Sequence, residues 1–332
     1  MKSFKNITGN DFIIKFLKNS IVHNRVSHAY IISGYEGVGK TLIAETFAKV
    51  LQCETGGADA CCSCRSCRSF ESGNNPDIIY VTPSKKSKTK SIGVNDIREQ
   101  VIEQVSIKPY EFRYKIFLIE NADSMTIEAQ NSFLKTLEEP PEYAIFLLMA
   151  RNVEKFLPTI LSRCVNVKIR PLSNGLVSDY ILKNTDVKEE RVELITEYAQ
   201  GSIGKALTLS NSKEFMEMRE CVTQTLVGLY GKNEFYATKA VDKIDDYKNE
   251  KNLIDLMYLW YRDVLSAKVL KDDKYIIQKD KKDIIFKEAG KYSVECIIDK
   301  ANACLEAKNQ ILKNVNFRLC MEVLLMKLKE SY

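Results

Sequence analysis

The stretch SGYEGVGKT has the composition and spacing of a phosphate-binding loop, with Gly34, Gly37 and Gly39 followed by Lys40 and Thr41. Glycines permit a tight turn that aims backbone N–H groups at an anion. The lysine of such a loop reaches the β and γ phosphates, and the threonine hydroxyl binds Mg²⁺. A plain glycine-rich turn is the alternative. The apolar run before the loop and the helical pattern after it favour binding of ATP or ADP with Mg²⁺.

Five of the ten cysteines lie between residues 53 and 67. Cys53, Cys61, Cys64 and Cys67 supply four thiolates, the set that a tetrahedral zinc ion requires. With no ligand position left for water, the predicted site is structural. Cys62 is a spare thiol that could replace Cys61. A redox pair or unrelated buried thiols are the other interpretations.

Composition places few limits on function. The 332 residues carry a net charge of +5 and are 45% apolar, which is ordinary for a globular protein. Such a mild positive charge does not by itself indicate a nucleic-acid binder. With no apolar run of roughly 18 residues and no signal-peptide core at the start, we expect a cytoplasmic protein without membrane contact.

Strand-like and helical segments alternate up to about residue 170, which predicts an α/β fold with a mostly parallel sheet. The strand-like runs are Ala29 to Ser33, Asp77 to Thr82, Lys115 to Ile119, Ala144 to Met149 and Val165 to Ile169. Helical patterns follow. We therefore predict an α/β domain over 1–170, a small helical domain over 171–212 and a larger helical domain over 213–332. The basic stretch 84–91 is either a contact surface or, more commonly, a solvated loop.

Four segments together resemble the clamp-loader ATPases of bacterial DNA polymerase III, in the AAA+ class. They are HAYIISGYEGVGKT, the cysteine cluster, NSFLKTLEEPPEYAIFLLMA and LPTILSRC. The resemblance covers residues 1–210, and the remainder only by length and helical character. It implies an AAA+ phosphate-loop domain carrying the zinc-binding insertion at 53–67, then a helical lid and an all-α collar that packs subunits into a ring. Such a ring places a sliding clamp on primed DNA.

This sequence departs from the active ATPase subunits of the family where chemistry is expected. Their second motif ends in Asp-Glu, whereas Glu120 and Asn121 stand here. Glu120 keeps a carboxylate that could serve Mg²⁺, but a misplacement of about 1 Å can cost on the order of 10²-fold in rate. Asn121 cannot accept a proton, and loss of a general base costs roughly 10²- to 10⁴-fold. The resemblance implies a Thr or Asn at the strand end, where Met149 to Asn152 stand here, and an arginine that touches the γ phosphate where Gly204 stands.

The pattern is similar to that of the delta-prime subunits of this family, which do not run the ATPase cycle themselves. In the intact triplet Ser162-Arg163-Cys164, the resemblance implies that Arg163 reaches the nucleotide of a neighbouring gamma/tau subunit. The implied partners are gamma/tau and delta subunits, with the clamp and primed DNA contacted through the complex. On spacing alone, Arg163 is a surface or salt-bridged arginine at the start of a strand.

Two other interpretations stay open at this point. Intact Lys40 and Thr41 are compatible with a gamma/tau-like subunit that hydrolyses ATP. An unrelated phosphate-loop kinase or helicase would need further motifs. Among single residues, Asp123 is predicted to cap a helix that opens near Met125. Trp260 is predicted to lie in a helical core or on a ring-contact surface.

Overall fold

A computed structural model describes residues 2–84, 91–230, 234–248, 252–313 and 315–329. Most of the basic stretch 84–91 lies outside the described residues. The chain forms two compact units, Met1–Val177 with Gly201–Lys205, and Ser178–Gln200 with Ala206–Tyr332. The finer division at residues 170 and 212 stays a prediction.

The first unit is built on a five-stranded parallel sheet. Its strands are β1 Ala29–Ser33, β2 Ile78–Val81, β3 Lys115–Ile119, β4 Ala144–Ala150 and β5 Val165–Lys168, in the order β2-β3-β4-β1-β5. Each strand lies within a residue or two of its predicted run. The predicted α/β fold class is therefore confirmed.

The three central strands β1, β3 and β4 are buried along their whole length. Alternate side chains enter two cores: Tyr30 and Ile32 pack on one face of β1, and Ala29 and Ile31 on the other. A parallel sheet covered on both faces requires such continuous apolar strands.

Helices cover both faces of this sheet. They are α1 Asp11–Val22, α2 Lys40–Leu51, α3 Arg65–Glu71, α4 Val94–Ile97, α5 Glu103–Val105, α6 Ile127–Glu138 and α7 Pro158–Leu161. The side chain of Thr126 accepts a hydrogen bond from the Ala129 N–H and caps α6. The prediction that Asp123 caps this helix is wrong.

The rest of the described chain is helical. It contains α8 Asn174–Asn184, α9 Glu189–Ala199, α10 Ile203–Asn211, α11 Lys213–Leu229, α12 Glu234–Asp245, α13 Leu253–Leu270, α14 Lys282–Ala289, α15 Val294–Leu312 and α16 Phe317–Lys329. In the second unit, α13 is central: it packs against α11, α14 and α15. Trp260 on α13 is 2% exposed, so of its two predicted positions the core is the one observed.

A buried ion pair also stabilises the second unit. Arg219 on α11 donates from Nη1 and Nη2 to the two carboxylate oxygens of Asp280, at 2.7 and 2.6 Å. Such a two-point contact holds both groups in one geometry. Within the described ranges, none of the helices is both long and apolar enough to cross a membrane.

Candidate functional site

The phosphate loop and two charged residues lie at one edge of the sheet, where β1, β3 and β4 end. Ser33 pairs with Ala150, and Ile119 pairs with Leu148, so these strands end side by side. The phosphate loop follows β1, Glu120 follows β3 and Arg151 follows β4. This edge is where open parallel sheets bind ligands.

The phosphate loop has the backbone conformation that its glycines allow. Gly37 and Gly39 have φ values of 74° and 98°, in the left-handed region. Lys40 begins α2, and its Nζ donates to the carbonyls of Gly34 and Tyr35 at 2.8 and 2.7 Å. The Lys40 ammonium therefore lies at the loop where the predicted phosphate would bind. Thr41 lies in the first turn of α2.

Gly204 packs directly on the phosphate loop. Its N–H donates to the Gly37 carbonyl at 3.3 Å, and a Cβ at residue 204 would lie 3.0 Å from that oxygen. A Cβ at Gly37 would lie only 2.4 Å from the Ser202 hydroxyl. The two backbones can approach this closely because both residues are glycine.

Charged side chains surround the loop. Arg151 Nη1 lies 3.0 Å from Glu36 Oε2, and Glu36 belongs to the loop itself. The Asp123 carboxylate accepts the backbone N–H groups of Arg151 and Asn152, each at 3.3 Å. Burial lowers the pKa of Lys40, and the Arg151 charge lowers it further, while Asp123 and Glu36 oppose both effects. The sequence analysis did not identify Arg151 or Glu36 as site residues. The available signal was a charged residue directly after a predicted strand, Arg151, and another within the loop, Glu36.

Glu120 and Asn121 lie at the end of β3, where the resemblance expects the catalytic carboxylates. Both are exposed, and Asn121 has a φ of 49°, in the left-handed region that asparagine tolerates. The Asn121 carbonyl accepts a hydrogen bond from the Ser124 N–H at 2.7 Å. These two residues offer one carboxylate and one amide, so Glu120 could bind Mg²⁺ here, whereas Asn121 cannot accept a proton from water.

Arg163 lies just before β5 and away from the phosphate loop in sequence. Its Nη2 is 2.7 Å from Glu138 Oε1, and its Nη1 donates to the Thr159 carbonyl at 2.9 Å. The arginine side chain is 34% exposed. The salt bridge expected from spacing alone is therefore present, and the guanidinium is fixed at the surface of its own chain.

Four cysteine sulfurs form a cluster of the predicted composition. The Sγ atoms of Cys53, Cys61, Cys64 and Cys67 all lie within 4.8 Å of one another. Backbone N–H groups point at them: Cys61 N at Cys53 Sγ, Cys64 N at Cys61 Sγ and Cys67 N at Cys64 Sγ, at 3.3 to 3.4 Å. Hydrogen bonds from Ser63 and Cys64 lower the pKa of Cys61 to about 5. A donor set of four thiols with N–H···S support suits Zn²⁺.

Cys62 lies outside this cluster. Its φ is 60°, and its Sγ is 3.4 Å from Lys49 Nζ. Lys49 is a buried lysine whose Nζ also lies 2.6 Å from Glu71 Oε1. The Cys62 thiol therefore contacts Lys49, and Cys61 is the cysteine that joins the other three.

Comparison with known proteins identifies the family. A family model described as DNA polymerase III, delta subunit, matches residues 9–173, and one described as DNA polymerase III, delta subunit, C terminal, matches residues 213–330. With its parallel sheet and phosphate loop, the chain belongs to the clamp-loader family of DNA polymerase III, as the sequence motifs predicted.

The similar proteins include both delta′ and tau/gamma subunits. The chain is 33% identical to DNA polymerase III subunit delta′ of Bacillus subtilis (strain 168) over 96% of both chains. It is 35% identical to subunit tau/gamma of Haemophilus influenzae over 69% of this chain, and it spans about a third (33%) of that relative's length. Among solved structures, a gamma subunit-related protein of Thermotoga maritima is 20% identical over 96% of this chain and 99% of its own, with a TM-score of 0.47.

Proposed function

We propose that the chain is a delta-prime-like subunit of a clamp loader, which helps to place a sliding clamp on primed DNA. The full-length match to subunit delta′ supports this assignment. In this proposal the chain joins gamma/tau and delta subunits in a hetero-oligomeric ring in the cytoplasm. The clamp and DNA are contacted through the complex, with 171–212 acting as a lid and 213–332 as a collar.

Within the ring, the chain holds a nucleotide but hydrolyses it poorly. Lys40 and Thr41 provide the phosphate and Mg²⁺ contacts, whereas Glu120 is followed by an asparagine. An amide cannot take a proton from water, and a missing general base lowers the rate by roughly 10²- to 10⁴-fold. The zinc ion that the four cysteines would bind supports the insertion at 53–67 and takes no part in the reaction.

The observation that carries the proposal is the placement of Arg163. Its guanidinium is held by Glu138 and the Thr159 carbonyl, yet it remains 34% exposed. An arginine supplied in trans stabilises the charge that develops on the transferred phosphoryl group, and can contribute about 10³- to 10⁵-fold. We propose that Arg163 does this in the nucleotide site of the neighbouring subunit.

The test is reconstitution of the ring with its ATPase subunits. Arg163→Ala should leave the ring assembled and lower clamp-stimulated ATPase by at least about tenfold. Arg25→Ala, at another exposed arginine, is the matched control and should keep the wild-type rate. A wild-type rate in the Arg163→Ala ring would refute the trans-acting role.

The second candidate is a gamma/tau-like subunit with its own ATPase activity, which the tau/gamma relatives and the intact Lys40 and Thr41 favour. Turnover by the isolated chain separates the two. Hydrolysis that disappears in Lys40→Ala would establish the enzyme and exclude the poorly hydrolysing subunit.

A further inference from the structure

The phosphate loop contains a carboxylate, Glu36, which opposes the binding of an anion. Glu36 is largely exposed, and its Oε2 is 3.0 Å from Arg151 Nη1. A negative side chain in such a loop raises the cost of bringing a phosphate to it. The ion pair with Arg151 offsets this negative charge only while the pair is closed, so opening or closing of the pair affects how well the loop attracts an anion.

The backbone of Arg151 is fixed beside the loop. The carbonyl of the preceding residue, Ala150, accepts the Gly34 N–H at 3.2 Å, where β4 runs alongside β1. The N–H groups of Arg151 and Asn152 donate to the two oxygens of Asp123. The side chain of Asp123 is only 8% exposed, so this anchor is rigid. The long arginine side chain therefore extends from a fixed origin to the phosphate loop.

Arg151 and Lys40 both contact the phosphate loop, Arg151 through Glu36 and Lys40 through the loop carbonyls. Burial lowers the pKa of Lys40, and the charge of Arg151 is the next contribution in the same direction. An anion bound at the loop would be attracted by both positive charges. Guanidinium groups bind phosphate through two parallel N–H···O contacts, with a geometry that a lysine cannot provide.

We propose that Arg151 contacts the polyphosphate tail of a nucleotide in this chain's own site, and that Glu36 occupies the guanidinium while the site holds no anion. The inference rests on the proposed nucleotide-binding site. It adds Arg151 as a second cation and Glu36 as a carboxylate that competes with the phosphate. On binding, the exposed Glu36–Arg151 ion pair opens and the guanidinium exchanges a carboxylate for a phosphate. Exposed ion pairs of this kind are weak, so the exchange favours the phosphate.

The test is titration of the full-length chain with a fluorescent ADP analogue, competed with inorganic triphosphate. Arg151→Gln should weaken binding of both about tenfold or more, since a charge-assisted contact is lost. Glu36→Gln should tighten binding by about two- to fivefold, because the internal competitor is gone. Arg25→Gln is the matched control and should bind as the wild type does.

The opposite signs of the two substitutions separate this inference from a structural role for either residue. A merely destabilising change would weaken binding in both variants, and circular dichroism identifies such variants. Arg151→Lys, which keeps the charge but loses the paired contact, should fall between wild type and Arg151→Gln.

Failure of the inference is distinguishable from failure of the proposed function. If Lys40→Ala abolishes binding while Arg151→Gln and Glu36→Gln leave it unchanged, the nucleotide seat stands and the role of Arg151 is refuted. If the wild type binds neither probe, Arg151 has no phosphate to contact and the inference is also refuted, while the ring assay of Arg163 is unaffected.

Discussion

The choice between Cys61 and Cys62 gives the sharpest test of the metal site. These adjacent cysteines have the same chemistry, but only Cys61 lies with Cys53, Cys64 and Cys67 in the cluster whose sulfurs are within 4.8 Å of one another. Cys61→Ser should therefore weaken zinc binding, and Cys62→Ser should not. The pair is its own matched control, because both variants lose one thiol from the same short segment.

The size of the effect follows from the number of ligands. Structural zinc sites with four ligands bind with about 10–16 kcal/mol near pH 7, which is about 2.5–4 kcal/mol for each ligand. At about 1.4 kcal/mol for each factor of ten, replacing one thiolate should weaken binding by about 10²- to 10³-fold. The sulfur of Cys61 also accepts hydrogen bonds from the N–H groups of Ser63 and Cys64, which a serine oxygen at that place would not reproduce in length.

Competition against a chromophoric chelator measures this difference, and elemental analysis gives the stoichiometry. We expect about one zinc per chain in the wild type and in Cys62→Ser, and release at much lower chelator concentration in Cys61→Ser. Equal retention in both variants, or loss of zinc from Cys62→Ser, would show that the arrangement of thiols described above is not the one that holds the metal.

Three further predictions concern stability, each measured as the free energy of unfolding in urea. Asp77 is 1% exposed and accepts the backbone N–H groups of residues 110–112, so Asp77→Ala should cost about 2–4 kcal/mol. Burial disfavours ionised Asp280, but Arg219 outweighs it and holds its pKa below the usual value. A lowered folded pKa gives stability that is present above the unfolded value of about 3.9 and is lost on acidification, so Asp280→Asn should cost about 3 kcal/mol at pH 7 and progressively less below about pH 4. Trp260→Ala should cost about 3–5 kcal/mol, because a large buried side chain leaves a cavity. A change below about 0.5 kcal/mol in any of the three would contradict the corresponding contact.

The sheet could be predicted from the sequence because its central strands are buried on both faces. Such strands read as continuous apolar runs, and the predicted limits Ala29 to Ser33 and Lys115 to Ile119 coincide with β1 and β3. At the edge strand β2 the prediction Asp77 to Thr82 was one residue too long at each end. Asp77 instead uses its carboxylate to hold the backbone of a distant loop, a contact that local pattern does not reveal.

The candidate site was predictable only where its residues are close in sequence. The phosphate loop and the cysteine cluster have characteristic spacings, so their residues could be identified from the sequence. The pairs Glu36–Arg151 and Gly37–Gly204 join residues more than a hundred positions apart, and only the fold brings them together. Asp123 was assigned to a helix cap because the preference of aspartate for caps is a local rule, whereas its real partners lie across the sheet edge.

The Gly37–Gly204 contact gives a packing role to Gly204, which stands where the resemblance implies an arginine in the active ATPase subunits. The Cβ of any other residue at position 204 would lie 3.0 Å from the Gly37 carbonyl oxygen. Either the loop or the start of α10 would then have to move. The glycine therefore does more than omit a phosphate contact: it lets a second segment pack on the loop and donate a hydrogen bond to it. If Arg151 supplies a positive charge from the end of β4, the phosphate loop has two cations, Lys40 and Arg151, while Gly204 allows close packing. Such a site would attract the phosphates of a nucleotide but would lack a general base to activate the attacking water.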